Sequence, residues 1–296
     1  CKITENDDGT VDYDFTLRDD IKFSDGEPMT ADDVIFSMYV FLDPSYDGSA
    51  STYALPIKGL EAYRSGSEVL YKLMLKNGAD NTDFTYYTEE QQKQFFDTDL
   101  PAAGEKWTQN IADYCAAQGY SEDNTAKSAM AAYGYGEVGD DGVLTAPSGK
   151  TYEDPTMADF FNEIVANYDG DYQTASDTET ADASLFDFLD DSYKVTVETG
   201  DSVDHIEGIQ KTGDNSVRIT LTEVDATAIY SLATYVSPLH YYGDESLYDY
   251  DNNQFGFPKG DLSSVRAKTT APMGAGPYKY VSYDNKIVYM EANEYY

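Results

Sequence analysis

The chain has 296 residues, 41% hydrophobic and 14% aromatic, enough apolar material for one elaborated domain or two smaller ones and too much for global disorder. Nineteen Lys+Arg stand against 55 Asp+Glu, a formal net charge of -36 that repels phosphate backbones and anionic headgroups and argues against nucleic acid and direct membrane-surface binding. Two cysteines, Cys1 and Cys115, fit no metal or redox spacing, and no apolar run reaches the roughly 20 residues needed to cross a bilayer.

The opening Cys1-Lys2-Ile3-Thr4-Glu5 is polar, unlike a secretory leader. A lipid-modified cysteine is normally followed by a flexible spacer, so a chain cut from something longer is the preferred reading. Val11, Tyr13, Phe15 and Leu17 alternate with polar residues, the period of a half-buried strand. Ile21 and Phe23 continue the alternation past Arg18-Asp19-Asp20, which predicts a hairpin between the two runs. Ser24-Asp25-Gly26 supplies turn chemistry. Thr30-Ala31-Asp32-Asp33 starts a helix carrying Val34, Ile35, Met38, Phe41 and Leu42 at helical spacing, and Asp43-Pro44 stops it.

Between 70 and 200 the pattern becomes one of short helices. Thr88-Glu89-Glu90-Gln91 is a capping box that opens a helix expected to end before Pro101. Further helices are expected near 104–118, 125–133, 156–167 and 183–193, with a polar loop over 169–182. Strands then return, with Val203 to Ile209 preceding Val217, Ile219 and Leu221. Ala226 to Tyr235 reads as a buried helix ended by Ser237-Pro238, and 241–262 as a loop. Tyr278, Tyr280 and Val281 begin a strand that pairs with Ile287 to Met290 across Asp284-Asn285. The fold class is therefore α/β in the mixed, α+β sense.

Catalytic chemistry finds no anchor. The two histidines, His205 and His240, sit in unrelated contexts without a zinc-like cluster, and no G-x-S-x-G elbow appears. Gly134-Tyr135-Gly136-Glu137-Val138-Gly139 satisfies a dinucleotide fingerprint on paper. A helix-like run precedes it and Asp140-Asp141 follows, so it reads as a turn. Asp249, Asp251 and Asn253 open like a calcium loop, but Gln254 and Gly260 occupy the positions needing glycine and glutamate. No cofactor and no enzyme activity are expected.

A set of short segments in order resembles the family-5 extracellular solute-binding proteins of ABC importers. They are Tyr13 to Arg18, Ile21 to Gly26, Pro28 to Ser37, Val217 to Leu221 with Ala233 to Pro238, Gly274-Ala275-Gly276-Pro277-Tyr278-Lys279, and Glu291 to Tyr296. The resemblance implies a fragment of a two-lobed, type II periplasmic-binding-protein-like fold. Residues 1–69 and 201–265 would form the accessory part of one lobe, 70–200 a mostly helical insertion, and 266–296 a crossing strand returning to the main lobe. It implies a monomer that captures short peptides and delivers them to a membrane permease. Such a protein works at the extracellular face of the cytoplasmic membrane, lipid-anchored at full length, or in the periplasm. It also implies ligand-binding roles for Tyr53, Ala233 and Thr234, whereas Asp25 and Gly26 read as turn-formers. The same scaffold with a sugar or metal chelate, or a surface interaction protein using the insertion, are the alternatives.

Overall fold

The computed structural model describes residues 1–233 and 235–296, which form two compact units. Unit 1 comprises Cys1–Leu70 and Lys194–Tyr296, and unit 2 comprises Tyr71–Tyr193. The architecture is mixed α/β, with every sheet antiparallel.

Unit 1 opens with β1 (Lys2–Glu5) paired to β2 (Val11–Thr16). The hairpin therefore lies upstream of the expected one. Ile21 to Phe23 form no strand, and Lys22 makes only an isolated bridge to Pro28. The reason is occupancy: β2 has β1 on one edge and residues Ser216–Leu221 on the other, so no edge is left for a third neighbour. Val11 and Tyr13 point into the core, while Asp14 on the opposite face takes the Arg218 guanidinium through Nε at 2.7 Å and Nη2 at 3.1 Å. That hydrogen bond holds the Asp14 carboxyl below its ordinary range.

Helix α1 (Ala31–Leu42) begins where expected. Asp33 closes the first turn by accepting the Thr30 amide at 2.8 Å and the Thr30 hydroxyl at 3.2 Å. Ile35, Phe36, Met38, Tyr39 and Leu42 are fully buried. A short helix α2 (Leu60–Arg64) and strand β3 (Ser67–Val69) follow.

Helix α3 (Leu70–Asn77), whose first residue belongs to unit 1, opens unit 2 and leads to α4 (Glu89–Gln94), capped reciprocally by Thr88 and Gln91. The helix does not stop before Pro101. It widens into a π-turn over Phe95–Asp99, where the Leu100 amide reaches back to the Phe95 carbonyl, and continues as α5 (Leu100–Gln118). Pro101 thus occupies a first turn, where its missing N–H is tolerated.

After α6 (Ala126–Ala132) comes a small sheet of β4 (Glu137–Val138), β5 (Leu144–Thr145) and β6 (Thr151–Tyr152), then α7 (Met157–Asn167). The stretch expected as a polar loop contains α8 (Tyr172–Glu179). Asp171 caps it by accepting the Thr174 amide, and Ala175 and Ser176 face inward. Conversely, 183–193 holds two 3-10 turns, Leu185–Phe188 and Asp191–Tyr193, in place of a helix.

Four tyrosine hydroxyls in this unit donate to carboxylates. Glu179 Oε1 accepts Tyr135 at 2.7 Å and Tyr168 at 2.5 Å, Glu163 accepts Tyr152 at 2.7 Å, and Asp99 accepts Tyr193 at 2.6 Å. Burial and the neighbouring Glu179 push Tyr133 up to about 12, and burial with the acceptor carboxylate raises Tyr135, Tyr152 and Tyr193 further. A folded-state pKa above the unfolded value of about 10 means stability that is intact below pH 10 and lost as pH rises through the folded values. Tyrosinate absorbance should therefore rise in two phases, the second coinciding with loss of helical circular dichroism above about pH 11. A single phase near pH 10 with structure intact would contradict these clasps.

Back in unit 1, β7 (Thr196–Glu198) pairs with β3, and β8 (Ile209–Gly213) and β9 (Ser216–Leu221) complete a sheet of order β1-β2-β9-β8. The strand expected from Val203 begins only at Ile209. Helix α9 (Ala228–Leu232) is shorter than the expected buried helix. Ala228 and Leu232 turn inward, while Tyr230 and Tyr235 are among the most exposed large apolar side chains of the described residues, at 81% and 84%. Helix α10 (Leu239–Tyr242) follows, and β10 (Tyr248–Asp249) with β11 (Gln254–Phe255) makes a small ladder inside the expected loop. The chain ends in a hairpin of β12 (Tyr278–Asp284) and β13 (Ile287–Ala292), turned by Asn285 and Lys286 at positive φ. Among the described residues no helix is long and apolar enough to cross a membrane.

Candidate functional site

The sequence after α1 cannot remain helical at Asp43-Pro44 and winds through turns to α2. This path lays Tyr53 against Arg64, whose guanidinium sits 4.4 Å from the ring centroid. Arg64 is fixed from behind, because Nη1 donates to the carbonyls of Leu42 at 2.9 Å and Asp43 at 2.8 Å. Burial lowers its pKa from the ordinary arginine value, in an environment that also contains Tyr53 and Asp43. The pair borders an open hollow of about 540 Å³, with Leu55, Pro56, Leu60, Glu61 and Thr222 around it.

The floor of this hollow is held by backbone. The Thr222 amide donates to Pro56 at 2.8 Å, Ile57 bridges Leu221, and the Lys58 amide donates to Thr220 at 3.0 Å. Asp43, whose carbonyl holds Arg64, is itself anchored. It is fully buried and accepts the Gly260 amide at 2.9 Å, the Ser45 amide at 2.8 Å and the Ser45 hydroxyl at 2.6 Å. An aromatic face, a cation with fixed position and an apolar wall suit noncovalent contact with a flexible ligand.

Of the three residues singled out from sequence, Tyr53 thus lines a built hollow. Ala233 is exposed just past α9 and is not among the residues lining that hollow, and Thr234 lies outside the described residues. Arg64 was missed. Its only signal in the sequence was scarcity, as one of four arginines in a chain with 55 acids.

Other candidate chemistry dissolves into local structure. The glycine run at 134–139 follows α6 and itself contains β4, so it has a helix before it and no helix directly after it, unlike a pyrophosphate turn. Asp249 accepts the Asn252 amide, and Asn253 takes the left-handed conformation that closes that turn. Among the described residues no group of three His, Cys, Asp or Glu side chains is arranged to hold a metal. His205 is exposed, and His240 pairs with Asp25 at 2.7 Å.

Residues 2–65 match the description "bacterial extracellular solute-binding proteins, family 5 middle". The oligopeptide-binding protein AppA of Bacillus subtilis (strain 168) is 42% identical over 72 residues, 24% of this chain and 13% of that protein. The oligopeptide-binding protein OppA of the same organism is 36% identical over 81 residues, 27% of this chain and 15% of that protein. The aligned stretch is thus a small part of either relative. No solved structure matches the chain.

Proposed function

Taking the chain as a member of the family-5 bacterial extracellular solute-binding proteins through residues 2–65, we propose that it is part of the binding component of an ABC importer that captures short peptides. The observation that carries this reading is that Tyr53, Arg64 and every other residue lining the hollow except Thr222 fall within the matched segment. Peptides are the favoured ligand because both relatives are oligopeptide-binding proteins. A tyrosine suits them too, its ring packing on side chains while its hydroxyl bonds peptide groups. Ala233 and Thr234 are proposed as further ligand contacts. The work is binding without chemistry.

The partner is a membrane permease, the working form a monomer, and the location the extracellular face of the cytoplasmic membrane, by lipid anchor, or the periplasm. A net charge of -36 argues against a nucleic-acid partner. The surface-interaction alternative loses ground because unit 2 spends most of its tyrosines internally.

The test is calorimetric titration of the protein at its natural length with a pool of di- to pentapeptides, followed by mass spectrometry of what is retained. Saturable binding with peptides retained is expected, and Tyr53→Ala is expected to weaken it about tenfold. Retention of a sugar or metal chelate with no peptide would keep the scaffold and overturn the substrate.

A further inference from the structure

The strongest unused feature is the single turn of helix α10, which grips the root of the β12–β13 hairpin. The Tyr241 hydroxyl donates to the Ala271 carbonyl at 2.7 Å, and the Tyr242 hydroxyl accepts the Met273 amide at 2.9 Å. Between these tyrosines and Leu239 stands His240, whose Nε2 lies 2.7 Å from Asp25 Oδ2. Asp25 belongs to the Ser24–Gly26 turn, and that turn touches both ends of the same root. The Ser24 amide donates to the Gly274 carbonyl at 3.0 Å, and Tyr295 packs on Gly26. Gly26 has φ +96°, and a Cβ there would stand 2.9 Å from Tyr295 Cζ, so the contact needs glycine on both counts.

We propose that the His240–Asp25 contact is a proton-controlled latch on the root of this hairpin, tight in mildly acidic solution and looser above neutrality. Histidine is the side chain that ordinarily changes charge between about pH 5 and 8. Neutral imidazole offers Asp25 a hydrogen bond, whereas imidazolium offers an ion pair with a charge-assisted bond. Asp25 contacts His240 directly, and the other charged groups of the hollow that His240 lines are Glu27 from the turn, Asp32 and Asp33 from α1, and Glu245 beyond α10. Asp32 is partly spoken for by Lys211 at 2.7 Å and by the Tyr248 hydroxyl. Asp33 is buried and accepts the Leu239 amide at 2.9 Å, which couples α1 to the residue before His240.

The lower limit of the latch is set by Asp25. Burial works to raise its carboxyl, but the His240 hydrogen bond and the Glu27 amide outweigh burial and hold it below the ordinary carboxylate range. The Asp25 side of the pair therefore stays ionised in mildly acidic solution. This device is independent of the ligand the protein takes.

Amide exchange of Ser24 and Met273, read by NMR as protection factors at pH 5.5 and pH 8, tests it. Wild type should show roughly fivefold greater protection at pH 5.5, and His240→Gln, which keeps a donor but does not titrate, should show none of that difference. The same pH response in His240→Gln, or none in wild type, would overturn the latch. If the variant does not fold, the wild-type titration decides alone. The Ser24 amide shift should follow the midpoint of the His240 ring, and a shift tracking a different midpoint removes the proposal. His205, the other histidine, is the internal control.

Discussion

Gly208→Ala is expected to cost about 3 kcal/mol of stability or more, because three backbone segments meet where its Cβ would stand. The Gly208 amide donates to Lys58 at 2.7 Å, the Lys58 amide to Thr220 at 3.0 Å, and the Thr220 amide to Gly208 at 2.8 Å. An added Cβ would lie 2.6 Å from the Thr220 carbonyl oxygen and 2.9 Å from both the nitrogen and oxygen of Lys58. These neighbours are main chain, so no rotamer change relieves the overlap and the three hydrogen bonds must stretch together. For a domain of this size the midpoint of thermal unfolding should fall by roughly 6–12 °C. Gly274→Ala is the control: its Cβ would meet open space at an unstrained φ, and a change within about 0.5 kcal/mol is expected. Equal melting of the two variants would mean that the Lys58–Thr220–Gly208 junction yields more easily than its geometry implies. The junction adjoins Ile57 and Gly59, which line the hollow beside Tyr53.

That junction shows why part of the molecule was legible in sequence and part was not. The strand at Val11 and the helix after Thr30 announce themselves because their burial repeats at a fixed local period and their polar residues cap or pair nearby. Strand β1 has no such signal. Its one apolar side chain, Ile3, is 53% exposed, and only pairing with β2 makes it a strand. The polar run at Tyr172–Glu179 folds as a helix through contacts distant in sequence, with Glu179 clasped by Tyr135 and Tyr168. At the site, Tyr53 came from resemblance alone. Arg64 acquires its position from the carbonyls of Leu42 and Asp43, and Gly208 acquires its constraint from Lys58 and Thr220. Long-range backbone geometry of this kind leaves no trace in a local pattern.

Asp43→Ala should be the most damaging single change near the hollow, at about 3–5 kcal/mol, since it orphans buried donors around an arginine. The Gly260 amide loses its side-chain acceptor, as do the amide and hydroxyl of Ser45. Arg64 would lose its nearby countercharge, while its hydrogen bonds to the backbone carbonyls of Leu42 and Asp43 persist. Asp43→Asn keeps the shape but must aim its amide at one set of donors, and about 1–2 kcal/mol is expected.

The pH dependence separates charge from shape. Burial pushes the Asp43 carboxyl up, against the opposing pull of the Gly260 and Ser45 hydrogen bonds. A carboxyl raised above its unfolded value of about 3.9 takes up its proton more readily in the folded state, so its ionisation costs stability as pH rises beyond that value. Asparagine does not ionise, and the other carboxylates are common to both proteins. Urea unfolding should therefore find the gap between wild type and Asp43→Asn widest near pH 4 and narrower at pH 7. A gap that widens toward pH 7 would mean that the hydrogen bonds of Gly260 and Ser45 outweigh burial, and that the charged carboxylate is the form this fold selects.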